Sequence, residues 1–188
     1  MYASHHVFSI ALRGYMNISK KTIQELAVEH KSRPRAERSI RVMLDNVRSG
    51  HNVGAIFRTS DALAIEKVYL TGICPKPPHK EIRKSAIGAE QEVSWEYLGQ
   101  DDVIDALKTL KQEGFTILAL EQCHQSVNLH DVKAPDQSLL IVGNEVDGIR
   151  PELLALCDHA LEIPQYGIKH SLNVSVSAGI ALWHLRSA

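Results

Sequence analysis

Three polar segments of this chain set amides, hydroxyls, carboxylates and a guanidinium where they could hold a small ligand and act on it. The first, Asp45 to Ser60, passes from a polar loop into a helix that displays Arg58 about one and a half turns in. Asn52 stands where a side-chain amide would cap that helix, and the same amide could hold a sugar or a phosphate. Taken alone, a cap and a surface charge account for Asn52 and Arg58. The second segment, Val142 to Ile149, puts Gly143, Asn144, Glu145 and Gly148 directly after an apolar run. Glycine lets backbone come close to a ligand and exposed N–H groups can then bind it, with a plain turn as the alternative. The third, Ile163 to Ser177, ends a strand at Pro164, crosses Gly167 and opens a long apolar helix with Ser171 as its expected N-cap. Asn173 and Ser175 fall in the first turn of that helix, where buried polar groups need partners in the backbone or in a ligand.

The elements that must position these segments read as alternating strands and helices. Ile40–Leu44, Lys67–Thr71, Phe115–Leu120, Ser138–Gly143 and Ala160–Ile163 are short, continuously apolar runs, which suits strands covered on both faces. Val93–Tyr97 is weaker and reads as an edge strand. Helical patterns cover Thr22–His30, Asn52–Ala64, His79–Gly88, Asp101–Gln112, Pro151–Cys157 and Ser171–Leu185. The last is apolar on nearly every side and is expected to be buried, partly against a second subunit. Such alternation predicts an α/β fold with a mainly parallel sheet flanked by helices. Ligands in these sheets collect beyond the carboxyl ends of the strands, where all three segments fall. Residues 1–38 form a partly helical N-terminal extension to a main domain over 39–188.

Composition bounds the function more loosely. The 188 residues, 44% hydrophobic and 23% charged, suffice for one domain with a real core. No apolar run approaches the ~18–20 residues of a membrane span, and Met1 to Tyr15 lacks a signal-peptide pattern, so a cytoplasmic protein is expected. Cys74, Cys123 and Cys157 are too scattered for a disulfide framework, and no ligand set has zinc-site spacing, so no metal is expected. Neither a dinucleotide-binding glycine motif nor a P-loop is present. The net charge of −1 argues weakly against a nucleic-acid partner, yet basic residues cluster. Lys31, Arg33, Arg35, Arg38, Arg41 and Arg48 form one group; Lys76, Lys80, Arg83 and Lys84 form another. They could track a phosphate backbone or make a solvated face.

The three segments resemble, in order, the three motifs of the SpoU/TrmH branch of the SPOUT methyltransferases. The matching stretches are Asn52 through Arg58, GNEVDGI at 143–149, and Ile163-Pro164 followed by HSLNVSVSAGIALW ending at Trp183. The resemblance implies a C-terminal deep trefoil knot (the SPOUT α/β-knot), which periodicity could not reveal because knots are nearly absent from proteins. It implies bent S-adenosylmethionine held by Leu120, Gly143, Asn144, Glu145, Ile163, Ser171 and Leu172. It also implies methyl transfer to a ribose 2′-hydroxyl of structured RNA, transfer RNA before ribosomal RNA. Arg58 would serve as an electrostatic clamp, since a guanidinium keeps its proton. Asn52, Glu145, Ser171 and Asn173 would orient Arg58 or the ribose. Arg33, Arg35, Arg38, Arg41, Arg48, Lys80, Arg83 and Lys84 would grip the RNA, and the family's homodimers would pair the first-motif and last helices. Two alternatives stand beside this: a non-catalytic RNA-binding protein using the knot as a scaffold, and methylation of a base.

Overall fold

The computed structural model describes residues 19–32 and 37–188, so Arg33 and Arg35 lie outside the described residues. The chain divides into two units, Met1–Arg35 and Ala36–Ala188. In the first, helix α1 (Ile23–Ser32) opens on a capping box. Thr22 N donates to Glu25 Oε2 at 2.6 Å, and Glu25 N donates back to Thr22 Oγ1 at 3.2 Å.

The second unit is built on seven strands: β1 (Ser39–Asp45), β2 (Lys67–Thr71), β3 (Trp95–Leu98), β4 (Thr116–Leu120), β5 (Val127–Asn128), β6 (Gln137–Val142) and β7 (His159–Glu162). They form one sheet in the order β3-β2-β1-β6-β4-β7-β5, and every adjacent pair is parallel. The apolar runs become continuous because each face has its own core. Ile40, Val42 and Leu44 of β1, with Leu140 and Val142 of β6, pack on one side. Met43 of β1, with Leu139 and Ile141 of β6, packs on the other.

Helices cover both faces. On the first lie α2 (Gly50–Ala62), α3 (Lys80–Ala86) and α7 (Val174–Ser187), through Val53, Ile56, Phe57, Ile82, Ala86, Ala178, Leu182 and Leu185, with the short α4 (Ala89–Glu92) against α2. On the second lie α5 (Asp102–Gln112) and α6 (Pro151–Leu154), through Val103, Leu107, Leu110 and Leu153. No helix among the described residues is long and apolar enough to cross a membrane.

Two expected caps move. Ser49, not Asn52, caps α2, its hydroxyl accepting from Asn52 N at 3.3 Å. Asn173, not Ser171, caps α7, with its Oδ1 accepting from Ser175 N at 2.9 Å. Both corrections free a side chain: Asn52 now sits inside the first turn of α2 and Ser171 in the loop before α7. Nor is α7 wholly buried, for Val176, Ile180 and Trp183 leave one apolar stripe exposed.

Candidate active site

Strands β6, β4 and β7 are neighbours in the sheet, so the segments leaving their carboxyl ends come together. Glu121 and Gln122 after β4, Gly143 to Val146 and Gly148 after β6, and Ile163 and Gln165 after β7 line one cavity of about 490 Å³. Ser171, Leu172 and Asn173, from the loop into α7, close it. That volume lies in the ~300–1,000 Å³ range of small-molecule sites. All seven residues assigned to a cofactor from the sequence line it: Leu120, Gly143, Asn144, Glu145, Ile163, Ser171 and Leu172.

The loop after β6 is shaped by its own side chain and by two acids beneath it. Asn144 is nearly buried, and its Oδ1 accepts from Val146 N at 2.7 Å, while Nδ2 reaches Asn46 O at 3.2 Å. Its amide is thus occupied with the turn and offers the cavity only backbone. Gly143 cannot carry a side chain, because a Cβ there would run into the backbone of Gly148 and Ile149. Glu121 Oε2 accepts from Ile149 N at 3.0 Å. Fully buried Asp45 at the end of β1 takes Arg150 N at 3.0 Å and Arg150 Nε at 2.8 Å, with Thr71 Oγ1 adding a third bond at 3.0 Å. An ion pair this well hydrogen-bonded offsets its desolvation and fixes the loop's far end.

A chain of side-chain bonds then ties the three segments together. Asn173 Nδ2 donates to Asn52 Oδ1 at 3.1 Å, and Asn52 Nδ2 donates to Glu145 Oε1 at 2.9 Å. Both ends of one amide are used, which an aspartate or leucine could not reproduce. Partial burial alone would raise the Glu145 pKa, but the Asn52 amide and nearby backbone N–H groups outweigh it and hold the carboxyl below its ordinary value. Glu145 is therefore a fixed anion and a poor base. The cysteines are equally unsuited to covalent chemistry. Burial pushes the thiols of Cys74 and Cys157 up to about 11, so neither supplies a thiolate near neutral pH.

Arg58 is the expected residue that the structure does not bring to this cavity. Six residues beyond Asn52 on α2, it lies about 9 Å along the axis and about 120° around it. It lines instead a second hollow with Asp61 and the segment between α3 and α4. The basic residues also separate. Arg41 is committed to Glu66 at 2.6 Å and lies over the Phe115 ring at 4.3 Å, which leaves it little freedom to meet a phosphate. Arg38 is half-buried beside Arg186 O. Arg48, Lys80, Arg83 and Lys84 are exposed, and only Arg48 has an ion-pair partner among the described residues, Asp147 at 3.7 Å.

Sequence reasoning missed Glu121, Glu162 and the Asp45–Arg150 pair. Glu121 and Glu162 had a signal, since each stands at the carboxyl end of its strand, where ligand contacts concentrate. The pair joins residues 105 positions apart, beyond any local pattern.

Comparison with known proteins agrees with this arrangement. A curated relative from Aquifex aeolicus, a tRNA (guanosine(18)-2′-O)-methyltransferase, is 34% identical over 151 residues, covering 78% of this chain and 68% of the relative. The 23S rRNA (guanosine-2′-O-)-methyltransferase RlmB of Neisseria meningitidis is 32% identical over 178 residues, covering 92% of this chain and 67% of its own. An AdoMet-bound rRNA methyltransferase from Sinorhizobium meliloti superposes with a TM-score of 0.73 at 27% identity, over 80% of this chain and 56% of that one. The chain thus spans about two thirds of those curated relatives and little more than half of that solved chain. With the family pattern matching residues 39–183 and the loops it requires meeting in one cavity, the chain belongs to the SpoU rRNA Methylase family.

Proposed function

We propose that this chain is an S-adenosylmethionine-dependent methyltransferase acting on a ribose 2′-hydroxyl of structured RNA, with 39–188 as its catalytic domain. The observation that carries the reading is the convergence of the three motif segments, joined by the Asn173–Asn52–Glu145 bonds, on one cavity. The cavity suits the cofactor electrostatically. Glu121, Glu145 and Glu162 line it and, among the described residues, no Lys, Arg or His does, which favours a ligand with a net positive charge such as a sulfonium amino acid. When bound, S-adenosylmethionine supplies an electrophilic methyl group on sulfur. The loops after β4, β6 and β7 offer it backbone groups, and Glu145 stays an anion beside the methyl donor. The chain's part would be to hold the ribose oxygen in line with that methyl group while the hydroxyl proton leaves to water.

Arg58 stabilises the oxygen as it becomes an alkoxide. Since Arg58 points away from its own chain's cavity, it acts at the cavity of a second copy. A homodimer through the exposed α7 stripe of Val176, Ile180 and Trp183 would bring the two α2 helices near each other. The deep trefoil knot of the family is proposed with it, supported by β6 and β4 lying between β1 and β7. Transfer RNA is the first substrate to test, because a tRNA enzyme is among the relatives at 34% identity, and the cytoplasm is the proposed location. Arg48, Lys80, Arg83 and Lys84 are the proposed phosphate contacts.

The test is methyl transfer from labelled S-adenosylmethionine to total RNA, with calorimetry for cofactor binding. Arg58→Ala should lower turnover by about two powers of ten or more with cofactor affinity unchanged. Mixing it with Gly143→Ala, which spoils the cavity, separates the two placements of Arg58. If Arg58 serves the other copy, statistical mixed dimers restore about a quarter of wild-type activity, from one intact site in half of the dimers. If it serves its own chain, nothing is restored. A chain that fails to bind the cofactor is instead a non-catalytic RNA-binding scaffold.

A further inference from the structure

Residues 166–170 leave the cofactor cavity and return to it. Gln165 and Ser171 both line that cavity, so the segment between them stands at its mouth. Its return is fastened, for Gln122 Nε2 donates to His170 O at 3.0 Å and Gln165 Nε2 donates to the same carbonyl at 3.3 Å. Beyond that clasp the tip carries side chains that a self-contained loop would fold away. Tyr166 is 95% exposed and Ile168 93%, more than any other large apolar residue among the described residues, and neither joins a core cluster. A Cβ on Gly167 between them would meet nothing within 4 Å, so no described part of the chain packs over the tip there. Lys169 follows, exposed and without a hydrogen bond or ion pair among the described residues.

Charge and shape together select a partner for this tip. The cavity behind it is lined by Glu121, Glu145 and Glu162, which repel a polyanion approaching the mouth. Lys169 sets a cation on that rim, two residues before Ser171. The methyl donor is a poor match for the tip, because it is cationic and Lys169 would repel it. An aromatic ring open on both faces beside a cation suits an unpaired nucleotide, whose base stacks on the ring while its phosphate meets the cation.

We propose that the tip is a substrate-positioning contact, with Tyr166 stacked on an unpaired base next to the nucleotide being methylated, Ile168 against that base's edge and Lys169 on the adjoining phosphate. The assignment rests on the methyltransferase reading above and adds a contact outside the reacting nucleotide. The two glutamine amides give the contact its use. A tip anchored to the cavity turns a sequence-tolerant stacking interaction into alignment of the neighbouring ribose.

The experiment uses the full chain, S-adenosylmethionine and a transcript of the site that the wild type methylates in total RNA. Tyr166→Ala should raise KM for the transcript by about fivefold to a hundredfold, and Tyr166→Phe, which keeps the ring, should stay near wild type. Cofactor affinity by calorimetry should remain within about twofold of wild type in both. Lys169→Ala should reduce the slope of log affinity against log salt by about 0.7, the share of one phosphate on a single strand. Abasic residues placed one at a time beside the target then locate the contact. At one position the wild type should fall to the level of Tyr166→Ala, and Tyr166→Ala should lose nothing more. An unchanged KM in Tyr166→Ala, or additive losses at every abasic position, overturns the contact while the methyltransferase reading stands. Weakened cofactor binding or altered sedimentation in Tyr166→Ala also overturns it, by giving the tip to the cofactor or to a second copy. A wild-type chain that methylates no RNA overturns both readings.

Discussion

Replacing Asn52 by aspartate tests the junction of the three motifs with almost no change of shape. The Nδ2–H that donates to Glu145 Oε1 at 2.9 Å becomes an oxygen, so a hydrogen bond turns into a contact between two anions. At that distance, unit charges repel by about 1.4 kcal/mol at the dielectric of water and about 5.7 kcal/mol at an effective value of 20. Glu145 is exposed, which weights the answer toward the lower half, about 2–3 kcal/mol. That corresponds to a loss of roughly 30- to 150-fold in turnover over cofactor affinity at pH 8. The sign of the pH dependence is diagnostic. In the wild-type chain, Glu145 has its pKa held below the ordinary value by Asn52 and backbone donors, so it stays ionised through neutral pH. In Asn52→Asp the pair would take up one shared proton as pH falls toward 5, and a protonated carboxyl would again be a donor. Activity relative to wild type should therefore rise between pH 8 and pH 5, and the thermal midpoint, lowered by about 4–12 °C at pH 8, should recover with it. A deficit that stays constant across that range refutes the idea that Asn52 serves by donating to Glu145.

Three further substitutions probe separate parts of the architecture. Gly143→Ala should abolish cofactor binding by calorimetry and cost about 1–3 kcal/mol in denaturant unfolding, because its Cβ would press on the backbone of Gly148 and Ile149. Asp45→Ala should destabilise by about 3–5 kcal/mol, since it leaves the Arg150 guanidinium without its buried partner; the unfolding midpoint in urea checks it. Trp183→Glu, at a position 63% exposed on α7, should convert the proposed dimer to monomer in sedimentation without lowering the monomer's secondary structure.

The sheet was legible because its strands are covered on both sides. Alternate residues of β1 and β6 enter different cores, so each strand stands out as an unbroken apolar run, and the expected ends fall within one residue of β1, β4, β6 and β7. β2 coincides with its run at both ends. β5, only two residues long, has no run to read. Caps were harder, because SGHN before α2 and HSLN before α7 each contain two residues able to cap, and only the backbone decides between them. That the motif segments would meet was legible, because each follows the carboxyl end of a strand. The direction of Arg58 was not, since helical phase places it relative to Asn52 but says nothing of which hollow each faces. The fate of Arg41 depended on Glu66 and Phe115, brought to it by strand pairing and by the turn into β4.

Electrostatics favours keeping Arg58, the proposed clamp, outside the cavity lined by the motif loops. The cavity carries three carboxylates, and a guanidinium inside it would pair with Glu145 or Glu121 before any RNA arrived. At about 4 Å and an effective dielectric of 20, such a pair gains about 4 kcal/mol, comparable to what one well-placed donor contributes to a transition state. A residue held that way would have spent its charge in the ground state and would add little to the rate. On its own face of α2, near Asp61 but unpaired with it, Arg58 keeps its charge available. If Arg58 is the clamp proposed above, the cationic methyl donor and the guanidinium of the same chain also stay apart, so their mutual repulsion does not weaken cofactor binding. Both constraints are met if the two groups approach only when RNA lies between them, its anionic ribose-phosphate screening one cation from the other. Rate enhancement and cofactor affinity then become separable by mutation, and this is why Arg58→Ala is expected to strike turnover and leave binding alone.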